Sequence, residues 1–118
     1  MSNVLDKNYP EISFKTDAED LKVMINFINE FASGIVDIQD IERKKSIILL
    51  KEVRDKMEMK ELQKRGTNKQ FLMKFKAYHL HALLVCFMFN DRINSKRIFE
   101  KNCIDAYKNQ FHQKLLAL

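Results

Sequence analysis

Past Pro10 the chain contains only two residues that readily break a helix, Gly34 and Gly66, and they stand 32 positions apart. Sandwiches and barrels change direction about every 8–12 residues and rely on Gly, Pro and Asn clusters to do so. One Pro and two Gly in 118 residues are too few for that architecture. The fold class this predicts is all-α: an antiparallel four-helix bundle, or a closely related helical domain, over residues 16–118, with a polar N-terminal arm at 1–15. The length is that of one domain. It suffices for a single core without disulfide or metal staples.

Hydrophobic spacing places the helices. In the arm, Ile12 and Phe14 alternate with Glu11, Ser13 and Lys15, the pattern of a piece lying extended over the domain. Thr16 followed by Glu19 reads as a capping box, with Asp17, Glu19 and Asp20 at the positive end of the first helix. Leu21, Met24, Ile25, Ile28, Phe31, Ala32 and Ile35 give that helix one broad apolar face, and Gly34 ends it. A second helix begins at Asp37 or Asp40, runs to Arg65 and stops at Gly66, with a break conceivable near Arg43–Ser46. Its apolar positions Ile38, Ile41, Ile47, Leu49, Leu50, Val53, Met57 and Leu62 thin out after Met57. Glu52–Lys56 and Glu61–Arg65 are expected as i,i+4 pairs on its polar side.

Thr67 and Gln70 read as another capping box, opening a third helix near Asn68 that continues to Asn90. The stretch Leu80–Phe89 is apolar all round, which predicts a central, surrounded helix. Asn94 or Ser95 caps a fourth helix, with Ile104, Tyr107, Phe111, Leu115 and Leu118 as its core stripe and Ile98, Phe99 and Cys103 as its flank. The apolar run Ala77–Phe89 is 13 residues long and contains His79 and His81, well short of the roughly 20 residues that a membrane span requires. The opening MSNVLDKNYPEISF lacks the basic flank and apolar core of a secretion signal. A cytoplasmic protein with no membrane partner is the expectation.

The net charge of +5 conceals a strong polarity. Residues 1–42 carry three Lys/Arg against nine Asp/Glu, residues 43–76 twelve against four, and residues 77–118 six against three. Such a chain either offers its basic part to an anionic partner or pairs its own halves. Sixteen Lys against five Arg favour sequence-independent attraction over the bidentate recognition at which Arg excels. The candidate binding residues form one basic ridge: Arg43, Lys44 and Lys45 open it, Lys56, Lys60 and Lys64 repeat at steps of four, and Arg65, Lys69, Gln70, Lys74 and Lys76 carry it past Gly66. Around Gly66 the stretch Glu61–Leu72 resembles a helix-turn-helix, with Lys69 and Gln70 in the first turn of the second helix. Against that stand four interspersed acids (Glu52, Asp55, Glu58, Glu61) and the apolar character of the helix that follows.

Catalytic and metal chemistry find no support in the spacing. His79 and His81 point about 200° apart on a helix, and His79 lies about 10 Å from Cys86 along the same face, too far to share a metal. Cys86 and Cys103 fall at equal height if the last two helices form a hairpin turning near Asn94, and are expected as core fillers. Without further glycines there is no phosphate-binding loop. No enzyme, metal or cofactor is therefore expected. The function expected first is a helical interaction module that binds a protein partner, or a second copy of itself, through the second helix and the start of the third. The alternative is a nucleic-acid-binding or regulatory protein using the ridge from Arg43 to Lys76.

Overall fold

The computed structural model describes residues 10–34, 41–92 and 97–118; within these, the side chains of residues 34, 41–46, 91 and 92 are not described. The expectations for Ile35, Asp37, Ile38, Asp40, Asn94 and Ser95, and for the side chain of Ile41, lie outside the described residues. The element order is strand β1 (Glu11–Thr16), helix α1 (Ala18–Gly34), helix α2 (Ile41–Lys64), strand β2 (Phe71–Lys76), helix α3 (Ala77–Phe87), a 3₁₀ turn (Met88–Arg92) and helix α4 (Ile98–Leu116). The all-α bundle is thereby corrected. Four helices pack with a two-stranded antiparallel sheet in a small mixed α/β domain.

β1 forms because its residues alternate. Ile12, Phe14 and Thr16 are buried while Glu11 and Lys15 are exposed, the period of a strand with one covered face. β2 repeats the pattern, with Met73 and Phe75 buried and Leu72 and Lys74 exposed. The strands pair from Glu11–Lys76 to Thr16–Phe71. The third helix expected from Asn68 therefore starts nine residues later, at Ala77. Thr67, read as the cap of that helix, instead closes α2. Its backbone N–H donates to the Lys64 carbonyl at 3.1 Å and its hydroxyl to the same oxygen at 2.9 Å. Gly66 makes this turn possible at φ +87°, a region that favours glycine.

Thr16 was expected to cap α1. It is the last residue of β1, completely buried, and Asp17 takes the capping role: Asp17 Oδ1 accepts the Asp20 N–H at 2.8 Å. The inward Thr16 instead joins a buried chain of hydroxyls. The Tyr107 O–H donates to Asp20 Oδ2 at 2.6 Å, so the Thr16 hydroxyl, 2.9 Å from Tyr107 Oη, donates to the phenol oxygen. Burial, followed by the Asp20 carboxylate, pushes the Tyr107 phenol above its ordinary range. One contact thus fastens β1, α1 and α4 together.

The core is threaded by aromatic rings. Phe14 stacks on Phe75 (6.1 Å between centroids) and meets Phe111 edge-on at 4.8 Å. Phe111 lies 5.9 Å from Phe87, which meets Phe27 edge-on at 5.4 Å. This line runs from β2 through β1, α4 and α3 to α1. Leu21, Met24, Ile28, Leu50, Val53, Met57, Leu80, Leu83 and Ile104 fill the space around it. The expected stripe of α4 holds at Ile104, Tyr107 and Phe111, whereas Ile98, Phe99 and Leu118 are exposed, as is Leu62 on α2. Asn90 ties the 3₁₀ turn to α4 by donating to the Lys101 carbonyl and the Asp105 carboxylate.

Two substitutions test this arrangement. Phe14→Ala removes the ring on which the aromatic line depends and is expected to cost about 3–5 kcal/mol. Tyr107→Phe strips partners from Thr16 and Asp20 and is expected to cost about 1–3 kcal/mol. Both are read as a lowered urea midpoint with an unchanged slope.

Candidate functional site

In the second half of α2 the sequence places three lysines four residues apart, and four residues is close to one helical turn. Lys56, Lys60 and Lys64 therefore form a row, and the fold lays that row against β2. The Lys56 ammonium sits 4.8 Å from the Phe75 ring centroid; those of Lys60 and Lys64 sit 5.7 and 5.4 Å from that of Phe71. The apolar stems lie along the strand while the charged heads reach the ring faces and solvent. Lys60 and Lys64 stand at the Phe71 end, Lys56 at the Phe75 end, and Glu52 meets His79 just beyond β2 at 2.7 Å. α2 thus runs antiparallel to β2 along its flank. The expected Glu52–Lys56 pair is replaced by two contacts across this seam, Glu52 with His79 and Lys56 with β2.

Lys56 makes the most informative of these contacts. Its ammonium donates a hydrogen bond to the backbone carbonyl of Lys74. Desolvation lowers the pKa of this amine, with Lys60 adding repulsion and Glu11 opposing both. That the Lys74 carbonyl is available follows from the ladder. The Ala77 N–H donates to the Pro10 carbonyl at 3.1 Å, and bonded and non-bonded pairs alternate along antiparallel strands. Phe75–Ile12 and Met73–Phe14 are accordingly the bonded pairs. Leu72 and Lys74 direct their N–H and C=O groups away from β1, and among the described residues no strand lies on that side.

A groove of about 460 Å³ runs between α2 and this free edge, lined by Lys56, Met59, Lys60, Gln63, Leu72, Met73 and Lys74. A smaller hollow of about 190 Å³ continues it, walled by Glu11, Glu52, Phe75, Lys76 and His79. Lys56 and Lys74 line both. The hydrogen bond between them therefore stands where the two hollows meet. Within the larger part Met59 is 65% exposed and Leu72 53%, so apolar side chains stand open to solvent beside three ammonium groups.

The basic ridge is thus only partly a unit. Lys56, Lys60, Lys64 and Lys74 converge on the α2–β2 seam. Arg65 is turned back on Glu61, donating from Nε at 3.1 Å and from Nη2 at 2.8 Å; that bond holds the Glu61 carboxyl below the usual carboxylate range. Lys76 reaches Glu11 at 3.9 Å. Lys69 and Gln70 are exposed in the connection before β2. The side chains of Arg43, Lys44 and Lys45 lie outside the described residues. The helix-turn-helix likeness is corrected, because the segment that would be its second helix enters a strand at Phe71. Gln63 and Leu72 carry no signal in the sequence, whereas Met59 stands where the apolar stripe of α2 fails, a position open to either core or surface. The alternation of Phe71–Lys76 was the signal that could have found the strand edge.

No family model matches the chain, and neither a curated protein nor a solved structure is similar to it. Among the described residues no three His, Cys, Asp or Glu side chains are placed to hold a metal ion. No helix there is long and apolar enough to cross a membrane. The seam offers ammonium groups for carboxylates or phosphates, apolar contacts, and unpaired backbone groups.

Both cysteines are free thiols held in their protonated form. Burial raises Cys86 far above the ordinary thiol range. Burial, reinforced by the Asp20 carboxylate, pushes Cys103 up to about 12. Because the thiolate is the reactive form, raised values mean little of it at pH 8. Neither cysteine is expected to react with iodoacetamide at that pH in the folded protein, and both should react once urea has unfolded it; labelling followed by mass spectrometry checks this.

Proposed function

We propose that the protein is a non-enzymatic binding module that takes a protein partner on the α2–β2 seam. The observation that carries this reading is the free edge of β2 facing a groove with exposed Met59 and Leu72 on its walls. Edge strands are normally blunted or covered, since their unpaired groups invite another chain. Here Lys56 bonds only the Lys74 carbonyl, and the exposed Met59 and Leu72 beside the edge supply the apolar contact area that protein partners use. Self-association is disfavoured at this surface. Two copies meeting edge to edge would bring together lysines from both β2 strands and both α2 rows.

Nucleic-acid binding through the basic ridge keeps its lysines but has no helix-turn-helix to support it, since the second helix of that likeness is replaced by β2. The ammonium groups of the α2 lysines also lie beside the Phe71 and Phe75 rings along one strand edge, a setting that favours a partner with apolar groups as well as negative charge.

A display selection of random peptides on the immobilised protein tests the reading. Binders are expected, and the double variant Met59→Asp with Leu72→Asp, at two exposed positions, should weaken them about tenfold or more, since each mismatched anchor costs on the order of 1 kcal/mol or above. Circular dichroism would confirm that the variant is folded. Binders that ignore the double variant would overturn the proposal. Duplex DNA binding that falls steeply with salt and disappears in Lys60→Glu with Lys64→Glu would replace it with the nucleic-acid reading.

A further inference from the structure

We infer that the segment bound by this seam is an acidic, extended peptide that adds to β2 as a third strand and displaces the Lys56 ammonium from the Lys74 carbonyl. The inference rests on the protein-binding reading above and specifies the partner's conformation and charge.

Conformation follows from the backbone. Leu72 and Lys74, two residues apart, present outward N–H and C=O groups with the repeat at which an added strand presents its own. A helix has already spent its backbone groups internally, and a nucleic acid has no amide ladder to offer. The space is suitably placed, since the larger groove lies along Leu72, Met73 and Lys74 with α2 as its opposite wall.

Charge follows from the lining. Lys56, Lys60 and Lys74 face the larger groove and no carboxylate lines it. The smaller hollow sets Glu11 and Glu52 beside Lys56, Lys74 and Lys76, and Lys60 does not line it. A bound strand thus meets a positive potential beside Lys60 and a nearly balanced one beside His79. Its acidic residues belong at the Lys60 end.

Lys56 couples the two properties. In the free protein its ammonium occupies the outward carbonyl of Lys74 where groove and hollow meet, which also protects the edge from indiscriminate pairing. An incoming strand needs that carbonyl for its own N–H. A carboxylate on the strand gives the displaced ammonium a new partner within the groove, whereas a neutral strand leaves it only solvent and the carboxylates of the hollow, Glu11 and Glu52. The lysine thereby selects for acidic strands.

The test uses the full chain and a synthetic, end-capped octapeptide of alternating Glu and Val. Glu and Val amides then point to opposite edges of the strand. Methylation of one alternate set of backbone amides is expected to weaken binding roughly tenfold or more, because each blocked amide forfeits a hydrogen bond and adds a steric clash; methylation of the other set should leave it unchanged. On binding, the amide protons of Leu72 and Lys74 should gain protection from exchange while that of Ser13, on the far edge of β1, does not. In Lys56→Met the preference for this peptide over its Gln/Val counterpart should shrink. Equal tolerance of both methylated sets, protection absent from Leu72 and Lys74, or an undiminished preference in Lys56→Met would each overturn the inference. If display-selected binders still depend on Met59 and Leu72 while the octapeptide fails, the inference falls and the binding module stands. If no protein or peptide occupies the seam, both fall.

Discussion

Pairing of residues 11–16 with residues 71–76 carries Phe14 into the middle of the molecule, where it touches Phe75, Tyr107 and Phe111. That ring is thereby packed between β2 and α4. Since strand side chains alternate with a period of two, a one-residue slip of β1 would turn Phe14 outward and Ser13 or Lys15 inward. The register is consequently fixed by burial. It is fixed a second time by chemistry: the inward Thr16 finds the Tyr107 oxygen only when β1 ends where it does, and the same phenol bonds Asp20 two residues into the first turn of α1.

The seam is a consequence of that pairing. A two-stranded ribbon has two edges, and β1 covers only one side of β2. α2 approaches the other side, close enough for lysine ammonium groups to reach the Phe71 and Phe75 rings, with Lys56 bonding the Lys74 carbonyl. The space left over is the groove. Its charge has the same origin, since a helix that packs its flank on aromatic rings while keeping that flank wet is well served by residues with apolar stems and charged heads. The lysine row is therefore part of the packing, and the positive potential over the groove comes with it.

The elements read correctly from sequence were those whose signal is local. α1 shows its face through Leu21, Met24, Ile25 and Ile28, all buried, and α2 ends at Gly66 because only a positive φ closes that turn. What failed was the segment from Thr67 to Lys76. Thr67–Gln70 has the spacing of a capping box, and no glycine or proline intervenes before the apolar run of α3. Locally, helix was the consistent choice. The alternation of Phe71, Met73 and Phe75 with Leu72, Lys74 and Lys76 becomes decisive only beside a partner, and that partner stands 60 residues away, in a segment expected merely to lie over the domain. The one-residue shift of the α1 cap has a similar cause, because Thr16 and Asp17 are both good caps and only the buried Tyr107 oxygen decides between them.

The legibility of the site divides along the same line. Lys56, Lys60 and Lys64 announce themselves by spacing, whereas Met59 and Leu72 do not, since an exposed apolar residue on a helix or strand carries no mark of its exposure in sequence. More basically, a free backbone edge is not encoded by any residue type. It arises where a strand has no neighbour to pair with, and among the described residues the ribbon has two strands. Beyond β2 the described chain sets α2, a helix whose own backbone groups are already bonded within it, so Leu72 and Lys74 keep outward-facing backbone groups beside a wall that cannot pair with them.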